Sequence, residues 1–187
     1  MKMKKLELID LENLYNKLLV EDFPKEELKS LKKLTRLSKT DEYISYSIYD
    51  GDFFVGYALF MTCKNMILLD YFAIVKDKRG MGYGSKALEL IKTYFKDKYD
   101  ILILESENPL CAKNSEDKII RENRVKFYEN NGFIKTDIKA IVYDVDYTIF
   151  IAKDTIQDMD KVAKLLYDVY IAFATEEKCR DNVFISL

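Results

Sequence analysis

Three of the 6 glycines in this chain of 187 residues stand close together, as Gly80, Gly82 and Gly84. Arg79 precedes them and Ser85 follows, between a segment typical of a buried strand and one typical of a helix. Glycine permits positive φ and lets another molecule approach the backbone closely. The first N–H groups of a helix lack intrahelical acceptors and attract anions. A plain strand-to-helix turn needs only one glycine, so the cluster predicts a phosphate-binding turn.

The spacing of these glycines narrows the kind of phosphate ligand. No G-x-x-x-x-G-K-[ST] string exists, which excludes a P-loop. A dinucleotide fingerprint, G-x-G-x-x-G, would have Ser85 or Ala87 in place of its third glycine, with Glu105 as the acidic residue further on. A dinucleotide-binding oxidoreductase therefore stays open as an alternative. The strands predicted before the turn argue against it, because a nucleotide-binding half begins with the turn.

The chain contains no histidine. This excludes a Ser-His-Asp triad, a Cys-His dyad and an H-E-x-x-H zinc site. Cys63, Cys111 and Cys179 form no C-x-x-C pair, so we expect neither a zinc cluster nor a disulfide framework. Unpaired cysteines fit a reducing compartment. The sequence therefore predicts a cytoplasmic protein with no metal site.

The charges are balanced, with 30 Lys and Arg against 32 Asp and Glu and a net charge of −2. Such a balance lacks the basic footprint of a nucleic-acid binder or a polybasic membrane anchor. Glu7, Asp10 and Glu12 interrupt the apolar run that a signal peptide requires. No stretch approaches the roughly 18 apolar residues of a membrane span. We expect a soluble protein that binds neither nucleic acid nor membrane.

The hydrophobic spacing predicts one domain with the element order ααβββαβαββα. The first helix should begin after a cap at Asp10 and the second near Pro24, followed by a stripe of leucines. Three strands should then form an antiparallel meander with turns at Asp50-Gly51 and Lys64-Asn65. These strands are predicted at residues 43–49, 53–61 and 66–75.

The second half of the chain alternates helices and strands. A helix follows the glycines, and a second one, over residues 116–130, should end at Gly132 in a left-handed conformation. Strands are expected at residues 100–105, 138–145 and 147–152. A meander followed by β-α-β indicates an α/β fold of the α+β type, with a mixed, mostly antiparallel central sheet and helices on both faces. A last amphipathic helix is predicted from the stripe Ile156, Met159, Val162, Leu166, Val169 and Phe173.

The string R-x-x-G-x-G is present as R-G-M-G-Y-G from Arg79 to Gly84, and it resembles the acetyl-CoA signature of the GNAT superfamily of N-acetyltransferases. The string F-Y-E-N-N-G-F, which begins at Phe127, is similar to its Y-E-x-x-G-F element. The motifs start 48 residues apart (Arg79 to Phe127), with one predicted strand between them. The resemblance covers about residues 43–152.

The resemblance implies a binding site for acetyl-CoA. The CoA pyrophosphate would contact backbone N–H groups of the turn and the Ser85 hydroxyl. The pantetheine amides would contact the backbone at a bulge in the central strand. The residues implied for the pyrophosphate are Arg79, Gly80, Met81, Gly82, Tyr83, Gly84 and Ser85, and those for the pantetheine are Ala73, Ile74 and Val75.

Acetyl transfer to an amine needs a base and an acid. A Lys-type amine with a pKa of about 10.4 is neutral in only about one in 10³–10⁴ molecules at pH 7, so a carboxylate should remove its proton. The resemblance puts Tyr128 in the general-acid position, where it would protonate the leaving thiolate; the alternative is core packing beside Phe127. Glu105 and Asp70 are the candidate bases. Arg124 could pair with Glu105 and give it a structural role instead.

The expected function is an N-acetyltransferase that transfers acetyl directly from acetyl-CoA to a primary amine in a ternary complex. Cys111 as an acyl carrier ranks lower, because no histidine activates it. Arg121 stands where many superfamily members carry an asparagine that touches the pantetheine. A non-catalytic acyl-CoA-binding or regulatory module is the main alternative, and the dinucleotide-binding oxidoreductase is the third. The sequence does not identify the acceptor amine, which could be a polyamine, an antibiotic, an amino acid or a protein N-terminus.

The expected organisation is an N-acetyltransferase domain over residues 1–152 and a C-terminal helical extension over residues 153–187. The apolar stripe of the extension must be buried. It either packs on the same domain or covers a partner chain in a homodimer.

Overall fold

The computed structural model describes residues 1–153, 158–174 and 176–187. The chain divides into two compact units. The first unit comprises Met1–Thr62 and Asp70–Leu90, and the second comprises Cys63–Leu69 and Ile91–Leu187.

The first unit begins with a short strand and a helical segment. The segment consists of α1, a π-helical turn and α2 in direct succession, and α3 follows after a loop. The bounds are β1 (Lys2–Lys5), α1 (Leu8–Leu14), the π-helical turn (Tyr15–Leu19), α2 (Val20–Asp22) and α3 (Leu31–Leu37).

Both predicted helix starts were wrong. Asp10 lies in the first turn of α1, which begins at Leu8. Residues 24–28 form turns instead of a helix, with the Glu27 N–H donating to the Pro24 carbonyl at 3.1 Å. α3 begins only after Ser30, whose hydroxyl accepts the N–H of Lys33. A serine cap satisfies an amide that lacks an intrahelical partner, and this fixes the start of the helix.

The predicted meander is confirmed. Its strands are β2 (Tyr43–Asp50), β3 (Phe53–Cys63) and β4 (Met66–Ile74). β1 and β2 pair antiparallel, as do β2 and β3. The turn glycine Gly51 has φ +60° and Lys64 has φ +55°, the left-handed conformation that tight hairpin turns require. Beyond β4 come a 3₁₀ turn (Lys76–Lys78) and α4 (Tyr83–Phe95).

The second unit contains the only parallel pair described in the chain. Met66–Leu69 of β4 pair with Ile101–Leu104 of β5. β5 pairs antiparallel with β7, β7 with β6, and β6 with β8. The bounds are β5 (Ile101–Glu107), a 3₁₀ turn (Pro109–Cys111), α5 (Ser115–Asn130), β6 (Phe133–Val142), β7 (Val145–Ala152), α6 (Met159–Phe173), α7 (Glu176–Arg180) and β8 (Val183–Ser186).

The eight strands are ordered β1-β2-β3-β4-β5-β7-β6-β8. The fold is therefore the mixed, mostly antiparallel sheet with helices that the sequence predicts. The two outer strands, β1 and β8, were not predicted. Each has 4 residues, too few to establish a period of two.

The segment after Ala152 supplies both a helix and a strand to the second unit. α6 follows the cap residue Asp158, whose carboxylate accepts the N–H of Asp160 at 3.0 Å. Ile156 of the predicted stripe lies outside the described residues. The stripe members Val162, Leu166, Val169 and Phe173 are buried, on a helix that contacts β6 and β8.

Candidate functional site

The glycine loop, which we define as residues 79–85, requires glycine at two positions. Gly80 has φ +75° and Gly82 has φ +78°. L side chains rarely adopt this conformation. A Cβ atom placed on either glycine would have no heavy atom within 4 Å, so the space beside the backbone is open. Conformation and access, rather than tight packing, therefore demand glycine here.

The glycine loop leads into the N-terminus of α4, which has 13 residues. The Lys86 N–H donates to the Gly82 carbonyl at 3.2 Å. The N–H groups of Tyr83, Gly84 and Ser85 precede this bond and have no acceptor one turn earlier in the helix. Ser85 is exposed. Several backbone donors and one hydroxyl at the positive end of a helix suit a phosphate group.

The Arg79 side chain contacts residues that precede the glycine loop in the sequence. Its Nε donates to the Ile74 carbonyl at 2.8 Å, and its Nη2 lies 2.6 Å from Oδ1 of Asp22. The Arg79 backbone N–H donates to the Lys76 carbonyl at 3.4 Å. Both the side chain and the amide of Arg79 are therefore used within the protein.

Two of the backbone groups predicted to bind pantetheine are also engaged. The Val75 N–H donates to the Val55 carbonyl at 3.0 Å, and the Ile74 carbonyl accepts from Arg79. A Cβ on Gly56 would lie 2.4 Å from the Ala73 carbonyl oxygen, so the backbone passes very close to Ala73. Glycine at position 56 makes this approach sterically permissible.

Asp70, one of the two candidate bases, is held by a lysine and a tyrosine. Its Oδ1 lies 2.6 Å from Lys29 Nζ, and its Oδ2 accepts the Tyr43 hydroxyl at 2.7 Å. The Asp70 side chain is 8% exposed, so these contacts are largely shielded from water. Burial, and then the charge of Asp70, raises the pKa of Tyr43 well above its usual value. Both Asp70 oxygens are thus occupied inside a structural cluster.

Glu105, the other candidate base, lies on β5 opposite Ile149 of β7. Its Oε2 accepts the hydroxyl of Tyr170 at 2.6 Å. Tyr170 belongs to α6 and is buried. Sequence reasoning missed this tyrosine, although it lies four residues after the stripe residue Leu166 and so extends the same helix face.

The pairing of Arg124 with Glu105, which the sequence left open, is not formed, because Arg124 pairs with Glu107 at 3.1 Å. The predicted strand ended at Glu105, whereas β5 continues to Glu107. The Glu107 carboxylate forms ion pairs with both arginines of α5. Arg121 Nη2 lies 2.7 Å from Glu107 Oε1, and Arg121 Nε lies 2.9 Å from Asp117 Oδ1. The hydrogen bond from Arg121 is the main cause of a lowered pKa at Asp117.

Tyr128 lies in an aromatic cluster on the buried side of α5. Its ring centroid is 5.4 Å from that of Phe127, 5.7 Å from Phe150 and 6.2 Å from Phe133. Burial raises the pKa of Tyr128, while the charge of Arg124 opposes that shift. Among the residues that the structure describes, no protein group accepts a hydrogen bond from its hydroxyl.

Two further findings concern the class of site. In the described ranges, no group of three or more Cys, Asp or Glu residues is arranged to hold a metal ion. None of the described helices has both the length and the apolar character that crossing a membrane requires.

The model of the Acetyltransferase (GNAT) family matches residues 8–113, and the chain belongs to this family. A comparison with curated proteins finds no match.

Solved structures share the fold at low sequence identity. A protein from Bacteroides thetaiotaomicron, assigned to the GNAT acetyltransferases, has TM-score 0.76 and 20% identity and covers 91% of this chain and 97% of its own. The ribosomal-protein-S18-alanine N-acetyltransferase of Escherichia coli has TM-score 0.59 and 21% identity, with coverages of 84% and 96%. The aminoglycoside 6'-N-acetyltransferase of Enterococcus faecium has TM-score 0.59 and 14% identity, with coverages of 84% and 99%.

Proposed function

We propose that this protein is an acetyl-CoA-dependent N-acetyltransferase that acts on a primary amine by direct transfer in a ternary complex. The observation that carries the proposal is the glycine loop, where Gly80 and Gly82 have positive φ and open space beside the backbone. This loop opens a helix of 13 residues, so its amides suit the CoA pyrophosphate. Membership of the GNAT family supports the same ligand.

The ligands that we assign to the pyrophosphate are the backbone N–H groups from Gly80 to Gly84 and the Ser85 hydroxyl. The Arg79 N–H is a weaker candidate for the pyrophosphate, and the Val75 N–H is a weaker candidate for the pantetheine, because each already donates to a carbonyl of the protein. Acetyl-CoA supplies an acyl group activated as a thioester. The protein has to bind it, orient it and manage two protons.

Tyr128 is the proposed general acid. Burial raises its pKa above the usual value of about 10, so the hydroxyl keeps its proton at neutral pH. The same burial would raise the pKa of a thiol released beside it, since desolvation disfavours every anion. Burial shifts both pKa values in the same direction, so it does not by itself oppose proton donation from Tyr128 to the leaving thiolate.

Glu105 is our preferred general base. Its Oε2 accepts a hydrogen bond from the neutral phenol of Tyr170. Asp70 is less suitable, because the ammonium of Lys29 and the hydroxyl of Tyr43 already occupy its two oxygens. A base must reach the proton of the substrate, and both Asp70 oxygens already lie against these two partners.

The acceptor class that we propose is a primary amine. The solved relatives are described as acting on an aminoglycoside and on an alanine of a ribosomal protein. A panel of aminoglycosides, polyamines, amino acids and peptides with free N-termini covers these chemistries. We expect acetylation of at least one member.

A thermal-shift screen with CoA, acetyl-CoA, NAD and NADP tests the proposal against its two alternatives. We expect stabilisation by both CoA compounds and none by the dinucleotides, because ligands that bind the native state raise the melting temperature. Stabilisation by NAD or NADP alone would favour the oxidoreductase. Stabilisation by CoA without turnover on the amine panel would favour the non-catalytic module.

A further inference from the structure

Two ion pairs join the end of α2 to Lys76, which precedes the glycine loop, and to Arg79, the first residue of that loop. Glu21 lies 3.1 Å from Lys76, and their side chains are 59% and 66% exposed. Asp22 lies 2.6 Å from Arg79, and the Asp22 side chain is 4% exposed. Pairs between exposed charges contribute little, whereas a buried charge depends on its partner. We therefore expect the buried Asp22 pair to restrain the local structure far more than the exposed Glu21 pair does.

Asp22 is fixed by two hydrogen bonds. Its Oδ1 contacts Arg79 Nη2, and its Oδ2 accepts the Tyr57 hydroxyl at 2.8 Å. The Tyr57 side chain on β3 is fully buried. Burial, followed by the hydrogen bond to Asp22, raises the pKa of Tyr57, so this hydroxyl remains a donor. The carboxylate of Asp22 is thereby anchored to the sheet.

Arg79 connects this anchor to the glycine loop. Its Nε donates to the carbonyl of Ile74, the last residue of β4. Its backbone is extended, with φ −67° and ψ 151°, and the next residue, Gly80, has φ +75°. A guanidinium held at two points restricts the backbone that carries it. The direction in which the chain enters the glycine loop is set at Arg79.

We propose that Asp22 is a positioning residue for the glycine loop, which it holds through Arg79 in the arrangement that binds the pyrophosphate of CoA. This inference rests on the proposed function. The Arg79 guanidinium then serves as an internal tie, and backbone amides rather than this cation contact the phosphates. Preorganised binding groups gain affinity because less freedom is lost on binding.

Asp22→Asn distinguishes the tie from simple electrostatics by the sign of its effect. Removal of a negative charge by itself favours the binding of an anion. Loss of the tie weakens binding, because the loop amides lose their fixed arrangement. Glu21→Gln is the matched control, since it removes the same charge from the neighbouring, exposed pair.

The experiment is isothermal titration of the full-length variants with CoA and with pantetheine, which lacks the pyrophosphate. We expect Asp22→Asn to raise the Kd for CoA about tenfold and to leave the Kd for pantetheine unchanged. Glu21→Gln should bind both like the parent. Tyr57→Phe removes only one hydrogen bond to Asp22 and should raise the Kd for CoA about threefold, which keeps the test decisive if Asp22→Asn fails to fold.

Three outcomes would overturn the inference. Asp22→Asn and Tyr57→Phe that bind CoA as tightly as the parent, or more tightly, would exclude a positioning role for Asp22. Equal losses of CoA and pantetheine would indicate general damage to the fold. A parent protein that binds no CoA would overturn the proposed function as well, which separates that failure from the first two.

Discussion

The Tyr170 hydroxyl on α6 donates a 2.6 Å hydrogen bond to Oε2 of Glu105 on β5. The two residues are 65 positions apart in the sequence, and the bond ties the C-terminal segment to the carboxylate that we propose as the base. The match to the family model ends at residue 113, before α6. A helix outside the matched region thus orients a residue inside it.

Tyr170→Phe should lower kcat about threefold to tenfold and leave the KM for acetyl-CoA unchanged, because the carboxylate loses a partner that orients it. Initial rates with saturating acceptor measure this. Tyr167→Phe changes a half-buried tyrosine of the same helix and serves as the control. Equal effects of both substitutions would contradict the orienting role.

Glu105→Gln should lower the rate strongly at neutral pH and recover part of it as the pH rises. The reason is that the carboxylate removes a proton from the acceptor amine, which alkaline solvent removes without help. A pH profile of kcat/KM between pH 7 and about 10 tests this, because the amine titrates near pKa 10.4. A uniform loss at all pH values would contradict the role. Recovery seen only in Asp70→Asn would transfer the role to Asp70.

Tyr128→Phe should lower turnover by about 10²–10⁴-fold with little change in the affinity for acetyl-CoA. The ring remains, so the aromatic contacts to Phe133 and Phe150 are kept and only the proton donor is lost. Rates and a binding titration on one preparation separate the two effects. Near-parental turnover would make Tyr128 a packing residue.

Gly82→Val should abolish CoA binding, because a β-branched side chain disfavours φ +78° and would occupy the open space beside the amides. Gly51→Val is a well-matched control. Gly51 has φ +60° in the β2–β3 turn, and a Cβ there also has no atom within 4 Å. Titration with CoA should show loss only in the first variant. Similar binding by both would place the CoA site elsewhere.

The folded protein should lose stability as the pH rises above about 10. Burial is the main cause of raised pKa values at Tyr43, Tyr57, Tyr71 and Tyr128. In the unfolded chain these tyrosines ionise near pH 10, so the unfolded state binds fewer protons and the free energy of unfolding falls with pH. Urea denaturation at pH 8 and above, with phenolate absorbance as the second probe, measures the slope. Full tyrosine ionisation in the native state at pH 10 would contradict it.

The sequence motifs predicted local geometry better than long-range contacts. Gly82 and Gly132 both have positive φ, as their positions at a turn and a helix end require. The buried pair of Lys29 and Asp70 was not foreseeable, because neither residue lies in a periodic pattern that points to the other. The start of α3 was also mispredicted: the helix begins after the cap residue Ser30, whereas the segment after Pro24 forms turns. Residue spacing predicts turns and helix ends, whereas contacts between distant residues are seen only in the structure.

The three meander strands and β7 were predicted closely, whereas β6 (Phe133–Val142) was expected at residues 138–145 and the outer strands β1 and β8 were missed. The end of β5 affects the candidate site. The strand continues for two residues beyond the predicted end, so Glu107 pairs with Arg124, while Glu105 accepts a hydrogen bond from Tyr170. Side chains two positions apart on a strand share a face, so sequence alone assigns either carboxylate to the arginine. Only the helix register of α5 separates them.

The central claim is that this chain moves an acetyl group from acetyl-CoA to an amine. The most direct test incubates the full-length protein with acetyl-CoA and the amine panel, and identifies the products by mass spectrometry. We expect the parent protein to produce an acetylated amine together with free CoA thiol, and Tyr128→Phe to give a greatly reduced yield. No acetylated product from any amine, with CoA bound and the protein folded, would contradict it.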